Sequence, residues 1–286
     1  VLADEIPIAD WHEGDVVVTN DPYSGGQHLP DILMFRPVFI DGAVIAIVGV
    51  LCHHLDVGGG APGSYYPQAT EIFQEGLRIP PLKIFEAGRR NDAVWQIILR
   101  NSRQPINVSG DLASQIAALE VGVQEVIRIA GRYGSQAMVD ATTRIMDQSE
   151  DAMRAAITAM PDGTYSFEDF VDDDGITDDP LRIHVCLTID GDRVIVDLSG
   201  SGAQARGPVN CTLNMSRSAV YFAVMSVADG DFVANSGCYR PIEIIAPEGL
   251  VVNCGDGAPV SNRMATGHRI VNAVMGAFAE VLPDRV

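Results

Sequence analysis

ILMFRPVFIDGAVIAIVGVLC, residues 32–52, spells out a β-hairpin. Ile32–Phe39 and Ala43–Cys52 are apolar, β-branched-rich runs on either side of Ile40-Asp41-Gly42. Asp-Gly is a strong two-residue hairpin signal, because both turn positions require positive φ. Antiparallel pairing about that turn brings Asp31 and Cys52-His53 to the same end. Each strand there adjoins a cluster of chemistry-bearing residues. One is Asn20-Asp21-Pro22-Tyr23-Ser24-Gly25-Gly26-Gln27-His28-Leu29-Pro30-Asp31. The other is Cys52-His53-His54-Leu55-Asp56-Val57-Gly58-Gly59-Gly60. The chain has six histidines, so finding His28, His53 and His54 in these two segments is informative. Imidazole with carboxylate suits a divalent metal such as Zn, Mn or Fe.

Local stereochemistry narrows the candidates. Pro30 biases Leu29 toward extended geometry, so His28 and Asp31 are not a helical pair. In an ideal strand His54 and Asp56 share one face and His53 takes the other. Either His53 or the His54/Asp56 pair faces a site, unless a bulge before the glycines changes the alternation. Each histidine also has a structural reading, as a hydrogen-bonded residue at a strand end, and Asp21 in Asn-Asp-Pro also reads as a turn cap. Gly58-Gly59-Gly60 has the makings of an anion nest. His184 within a strand, His268 at a helix start and His12 near the terminus read as structural. The sequence holds neither a GxxxxGK[ST] phosphate loop nor a GxSxG nucleophile elbow. The Asn107-Val108-Ser109 sequon reads as accidental.

Beyond the hairpin, Asp15–Thr19 reads as a short strand, and 57–92 as a long loop rich in Gly and Pro, of the kind that walls a site. Residues 93–160 read as two helices. Ser109 or Asp111 would cap the first, which carries Leu112, Ile116, Leu119, Val123, Val126, Ile127 and Ala130 and closes at Gly131 and Gly134. The second runs from about Met138 to Met160. Alternation then switches to period two, with a hairpin about Asp190-Gly191-Asp192. A helix over 214–228, a strand at Ile242–Ala246 and a final helix over His268–Val281 follow. This is a mixed α+β chain, with β-hairpins around a central helical pair. Its expected regions are a motif-bearing one over 1–162 and a hairpin-rich one over 163–286. The missing initiator Met and the abrupt end after an apolar helix read as a piece of a larger multidomain subunit.

Composition bounds the class. With 286 residues, 47% hydrophobic and 20% charged, the chain can bury a large core. A net charge of −19 argues against a nucleic-acid partner. Part of that acidity lies in Glu168–Asp179, read as a solvated loop without EF-hand spacing. The longest apolar run, Ala43–Cys52, is too short to cross a membrane. Five scattered cysteines (Cys52, Cys186, Cys211, Cys238 and Cys254) without a CxxC pair fit a reducing, cytoplasmic compartment.

The motifs taken together resemble the hydantoinase B/oxoprolinase family. The match runs through Asn20–Ile32, His53–Gly59, Pro62-Gly63-Ser64 and Glu75–Lys83, and continues at Ser236–Glu243 and Ala246–Gly249. The resemblance implies a longer subunit, with a segment upstream of Val1 and a glycine-rich region beyond Val286. It also implies a hetero-oligomer with a hydantoinase A-like partner that binds ATP and Mg. Residue by residue, it implies His28, Asp31 and His53 as metal ligands, with a further acidic ligand from the upstream segment in some members. It makes His54, Asp56, Asp21 and Glu75 second-rank or substrate-side candidates. Asp56, and with it His54, is the expected proton carrier, and Gly58 and Gly59 the turn where substrate approaches.

The function implied is a subunit of an ATP-dependent amidohydrolase that opens a hydantoin, 5-oxoproline or a lactam. An ATP-dependent ketone carboxylase is the first alternative, and a non-catalytic scaffold domain is the second.

Overall fold

The computed structural model describes residues 5–286, so the opening Val1–Asp4 lies outside the described residues. Packing divides the chain into two units, Val1–Asp140 and Ala141–Val286.

The first unit is built on a five-stranded sheet in the order β3-β2-β1-β4-β5. Its strands are β1 (Val16–Thr19), β2 (Asp31–Ile40), β3 (Ala43–His53), β4 (Leu82–Glu86) and β5 (Arg89–Arg90), all paired antiparallel. The β2–β3 hairpin turns at Asp41 (φ 51°) and Gly42 (φ 79°), the two positive-φ positions that Asp-Gly is suited to supply. Asp31 pairs with His53 at its open end. Strands β4 and β5 arise within the segment expected to be loop. β4 is short and follows Pro80-Pro81, so alternation gives it little signal.

Helices α1 (Asp92–Asn101) and α2 (Pro105–Tyr133) complete this unit. Asn91 caps α1 by accepting from the Val94 N–H at 3.3 Å, so the helical region holds three helices instead of two. α2 starts ahead of the expected Ser109 or Asp111, because Pro105 presets the helical φ at its first turn. It ends at Gly134 (φ 90°). Val108, Leu112, Leu119, Val123 and Ala130 bury one stripe, while Ile127 stays exposed. The helix lies across β2 and β3. Gly122 permits that approach, since a Cβ there would sit 2.6 Å from Val48 Cγ1.

Helix α3 (Ser135–Thr158) runs through the division between the units. The change of pattern read at 161–164 coincides with the start of β6. The division by packing falls earlier, because Met153, Ile157 and Met160 belong to the second unit's core.

The second unit holds a sheet ordered β6-β7-β8-β9, from β6 (Gly163–Val171), β7 (Leu181–Asp190), β8 (Arg193–Asp197) and β9 (Ile242–Ile245). β7 buries Ile183, Val185, Leu187 and Ile189 in strict alternation, so one face is core. β8 and β9 run parallel, and a parallel pair needs a crossover, here containing α4 (Leu213–Val227). α5 (Arg263–Ala279) packs against α4 and lies over β6 and β7. The acidic 168–179 stretch is only partly solvated: Asp172 and Asp173 are exposed, but Asp174 is buried. No helix among the described residues is long and apolar enough to cross a membrane.

Candidate metal centre

Asp31 and His53 face each other because the hairpin register makes them partners. His53 Nδ1 lies 2.7 Å from Asp31 Oδ1. His28 arrives from the turn that enters β2. Asn20 fastens that turn: its Nδ2 donates to Leu29 O at 2.7 Å and to Leu77 O at 2.8 Å, and its Oδ1 accepts from the Ile79 N–H at 2.7 Å. The Asp31 N–H then donates to His28 O at 2.9 Å, closing a tight turn across Leu29-Pro30. The His28 ring stacks on His53, with centroids 5.5 Å apart and planes 24° apart.

One potential ligand atom each from His28, Asp31 and His53 lies within 4.8 Å of the others. A tetrahedral ion with bonds of about 2.1 Å spaces its ligands about 3.4 Å apart, so modest side-chain adjustment suffices. The donor set, two imidazoles and one carboxylate, fits Zn, Mn or Fe. Burial is lopsided: His28 is 4% and Asp31 8% exposed, whereas the His53 side chain is 59% exposed. A metal here would have a protein side and an open side.

The other expected residues sit elsewhere. His54 is fully buried and its Nε2 is 2.9 Å from Gln115 Oε1. Burial is the main cause that holds its imidazole pKa below the ordinary value. Asp56 Oδ1 accepts from the N–H groups of Gly58 (3.0 Å) and Arg103 (2.9 Å). Its Oδ2 accepts from the Gly63 N–H (3.0 Å) and from Arg103 Nη1 (3.1 Å). Burial would raise the Asp56 carboxyl, but these four donors outweigh it and hold the pKa low. Both Asp56 oxygens are thus engaged by donors of the loop that it organises.

Asp21 pairs with Arg78 Nη2 at 2.9 Å and caps the Pro22–Ser24 turn by accepting from the Tyr23 N–H. Gly58 (φ 96°) and Gly59 (φ 82°) are required by the protein's own backbone. A Cβ would lie 2.7 Å from Asn101 O at Gly58 and 2.6 Å from the Glu75 carbonyl carbon at Gly59. Asp21, Gly58 and Gly59 line one cleft of about 840 Å³ together with Arg78, Arg100 and Arg103. That volume is typical of small-molecule sites. Glu75 is buried and is not among the cleft's lining residues. Sequence reading passed over Arg103 and Gln115. Gln115 did carry a signal, as the one amide in the apolar stripe of α2.

The family model for hydantoinase B/oxoprolinase matches residues 2–286. The chain belongs to the hydantoinase B/oxoprolinase family. A provisionally named B-type subunit of a D-/L-hydantoinase from Pseudomonas sp. (strain NS671) is 37% identical, over 96% of this chain and 49% of its own length. The crystal structure of the ATP-dependent caprolactamase from Pseudomonas jessenii superposes with a TM-score of 0.92 at 32% identity, covering 100% of this chain and 49% of that one. The nucleotide-free acetone carboxylase structure gives 0.88 at 21% identity, over 99% of this chain and 39% of that one, a likeness of fold alone. This hydantoinase B-family chain spans about half the length of the hydantoinase and caprolactamase subunits it matches, and 21–23% of the 5-oxoprolinases.

Proposed function

We propose that this chain is the metal-bearing part of a subunit that opens a cyclic amide, such as a hydantoin, 5-oxoproline or a lactam, in an ATP-dependent complex. The observation that carries the reading is the convergence of His28, Asp31 and His53 within 4.8 Å in a hydantoinase B-family chain. Asp31 supplies the negative charge and His28 the buried wall, and His53 closes the site from the solvent side. A Zn, Mn or Fe ion bound there would lower the pKa of a coordinated water or polarise the amide carbonyl. The cleft lined by Asp21, Gly58, Gly59 and Arg78 is the assigned substrate side.

Hydrolysis adds one water across the ring C–N bond and leaves a carboxylate with an amine, from 5-oxoproline or a lactam, or with a ureido group, from a hydantoin. ATP and Mg are assigned to a hydantoinase A-like partner in a hetero-oligomer. The likeness to a caprolactamase described as ATP-dependent, and to the caprolactamase beta chain of the same organism, supports this assignment. Five free cysteines fit a reducing compartment, and we assign the protein to the cytoplasm.

The test is metal content by plasma mass spectrometry, on the full-length subunit with its partner, wild type beside His53→Ala. About one ion per chain, lost in the variant, is expected for a single site with a ligand removed. ATP-dependent ring opening should then proceed without bicarbonate. Wild-type protein without metal would overturn the reading in favour of a scaffold, and turnover that requires bicarbonate would reassign it to ketone carboxylation.

A further inference from the structure

The buried row of α2 runs Val108, Leu112, Gln115, Leu119, Val123, one amide among aliphatic side chains. Gln115 is 3% exposed. A buried amide is tolerated only when its polar ends are hydrogen-bonded. Gln115 Nε2 donates to Ile32 O at 2.9 Å, and Oε1 lies 2.9 Å from His54 Nε2. A carbonyl only accepts, so Ile32 fixes which way the amide points. Oε1 only accepts as well, so the hydrogen in its contact with His54 belongs to Nε2.

The placement of these two partners is the telling feature. Ile32 directly follows Asp31, and His54 directly follows His53. Asp31 and His53 are cross-strand partners in the register of β2 and β3. One side chain from α2 therefore bridges the rung that carries two candidate ligands, reaching Ile32 on its inner side and His54 on its outer side. The His54 N–H also donates to Pro30 O at 2.8 Å, which fastens the His28–Asp31 turn to the same place.

We propose that Gln115 is a positioning residue for the candidate metal centre, holding Asp31 and His53 in ligand register through Ile32 and His54. The inference rests on the metal reading above. Groups behind metal ligands change affinity by fixing where the ligand atoms point, and their removal typically costs about 10–100-fold.

The experiment uses the full-length subunit with its partner. Zn²⁺ affinity is read by chelator competition, and ligand geometry by the visible absorption of the Co²⁺-loaded protein, with Tm alongside. Gln115→Leu should weaken Zn²⁺ binding about tenfold or more and shift the Co²⁺ bands. Leu119→Ala, a packing loss in the same row, should lower Tm and leave affinity and bands unchanged. His54→Gln, which keeps an N–H donor near the position of Nε2, should bind far more tightly than His54→Leu. Wild-type affinity and bands in Gln115→Leu would overturn the proposal, as would the same loss in Leu119→Ala. If Gln115→Leu does not fold, equal affinities in the two His54 variants overturn it. A wild-type protein that binds neither ion takes down the metal reading itself, and this proposal with it.

Discussion

Carboxylates in this chain do two kinds of work, and neighbours decide which. Asp31 faces the imidazole of His53, whereas both oxygens of Asp56 and of Asp174 accept several hydrogen bonds, mostly from backbone N–H groups. Asp174 Oδ1 accepts from the N–H groups of Ile176 (2.8 Å) and Thr177 (2.7 Å), and Oδ2 from those of Arg206 (3.0 Å) and Gly207 (2.9 Å). Burial pushes its pKa up, but the donors outweigh burial and hold it below the ordinary 3.8. A folded pKa below the unfolded one means stabilisation that is complete above the unfolded value and lost as pH falls through the folded one. Asp174→Asn should therefore cost roughly 1–3 kcal/mol at pH 7. The gap to wild type should close below about pH 4. Urea unfolding at both pH values checks this, and a gap independent of pH would contradict it.

At the scale of elements, the loop after β3 is wound around one guanidinium. Arg103 Nη1 donates to Gly58 O (3.1 Å) and Ala61 O (3.0 Å) as well as to Asp56, and Nη2 donates to Gly59 O at 2.6 Å. A lysine is a single point of charge and cannot span these acceptors. Arg103→Lys should speed amide hydrogen exchange over residues 57–64 about tenfold, the worth of one lost charge-assisted bond. The β2–β3 hairpin should be unaffected, and uniform acceleration would instead indicate global destabilisation. Both hairpins were legible because an Asp-Gly turn between apolar runs, and a Gly-Asp turn between alternating ones, leave few options. The start of α2 was less so, since Pro105 at the first turn competes with two plausible capping side chains, Ser109 and Asp111.

For the whole 286-residue chain, a formal charge of −19 and a pI near 4.5 make copies repel one another at neutral pH. Its solubility minimum should fall near pH 4.5, which turbidity against pH will show. The same charge should leave it unretained on a polyanion column at low salt, since phosphate-type surfaces are bound by clustered Lys and Arg. Retention there would reveal a basic face that the totals conceal.

The sequence by itself determined the hairpin and the convergence of Asp31 with His53, because turn chemistry is local. It determined the family as well, through long motifs in fixed order. Only the tertiary structure placed His53, and not His54 or Asp56, beside His28 and Asp31. His53 ends the strand on the open side, while His54 turns into the buried side beneath α2, where Gln115, 61 positions along the chain, receives it. The same holds for Asp56, whose two oxygens both accept from Arg103, 47 positions later. Such assignments depend on which distant donor packs against a buried acceptor, and no local pattern encodes that.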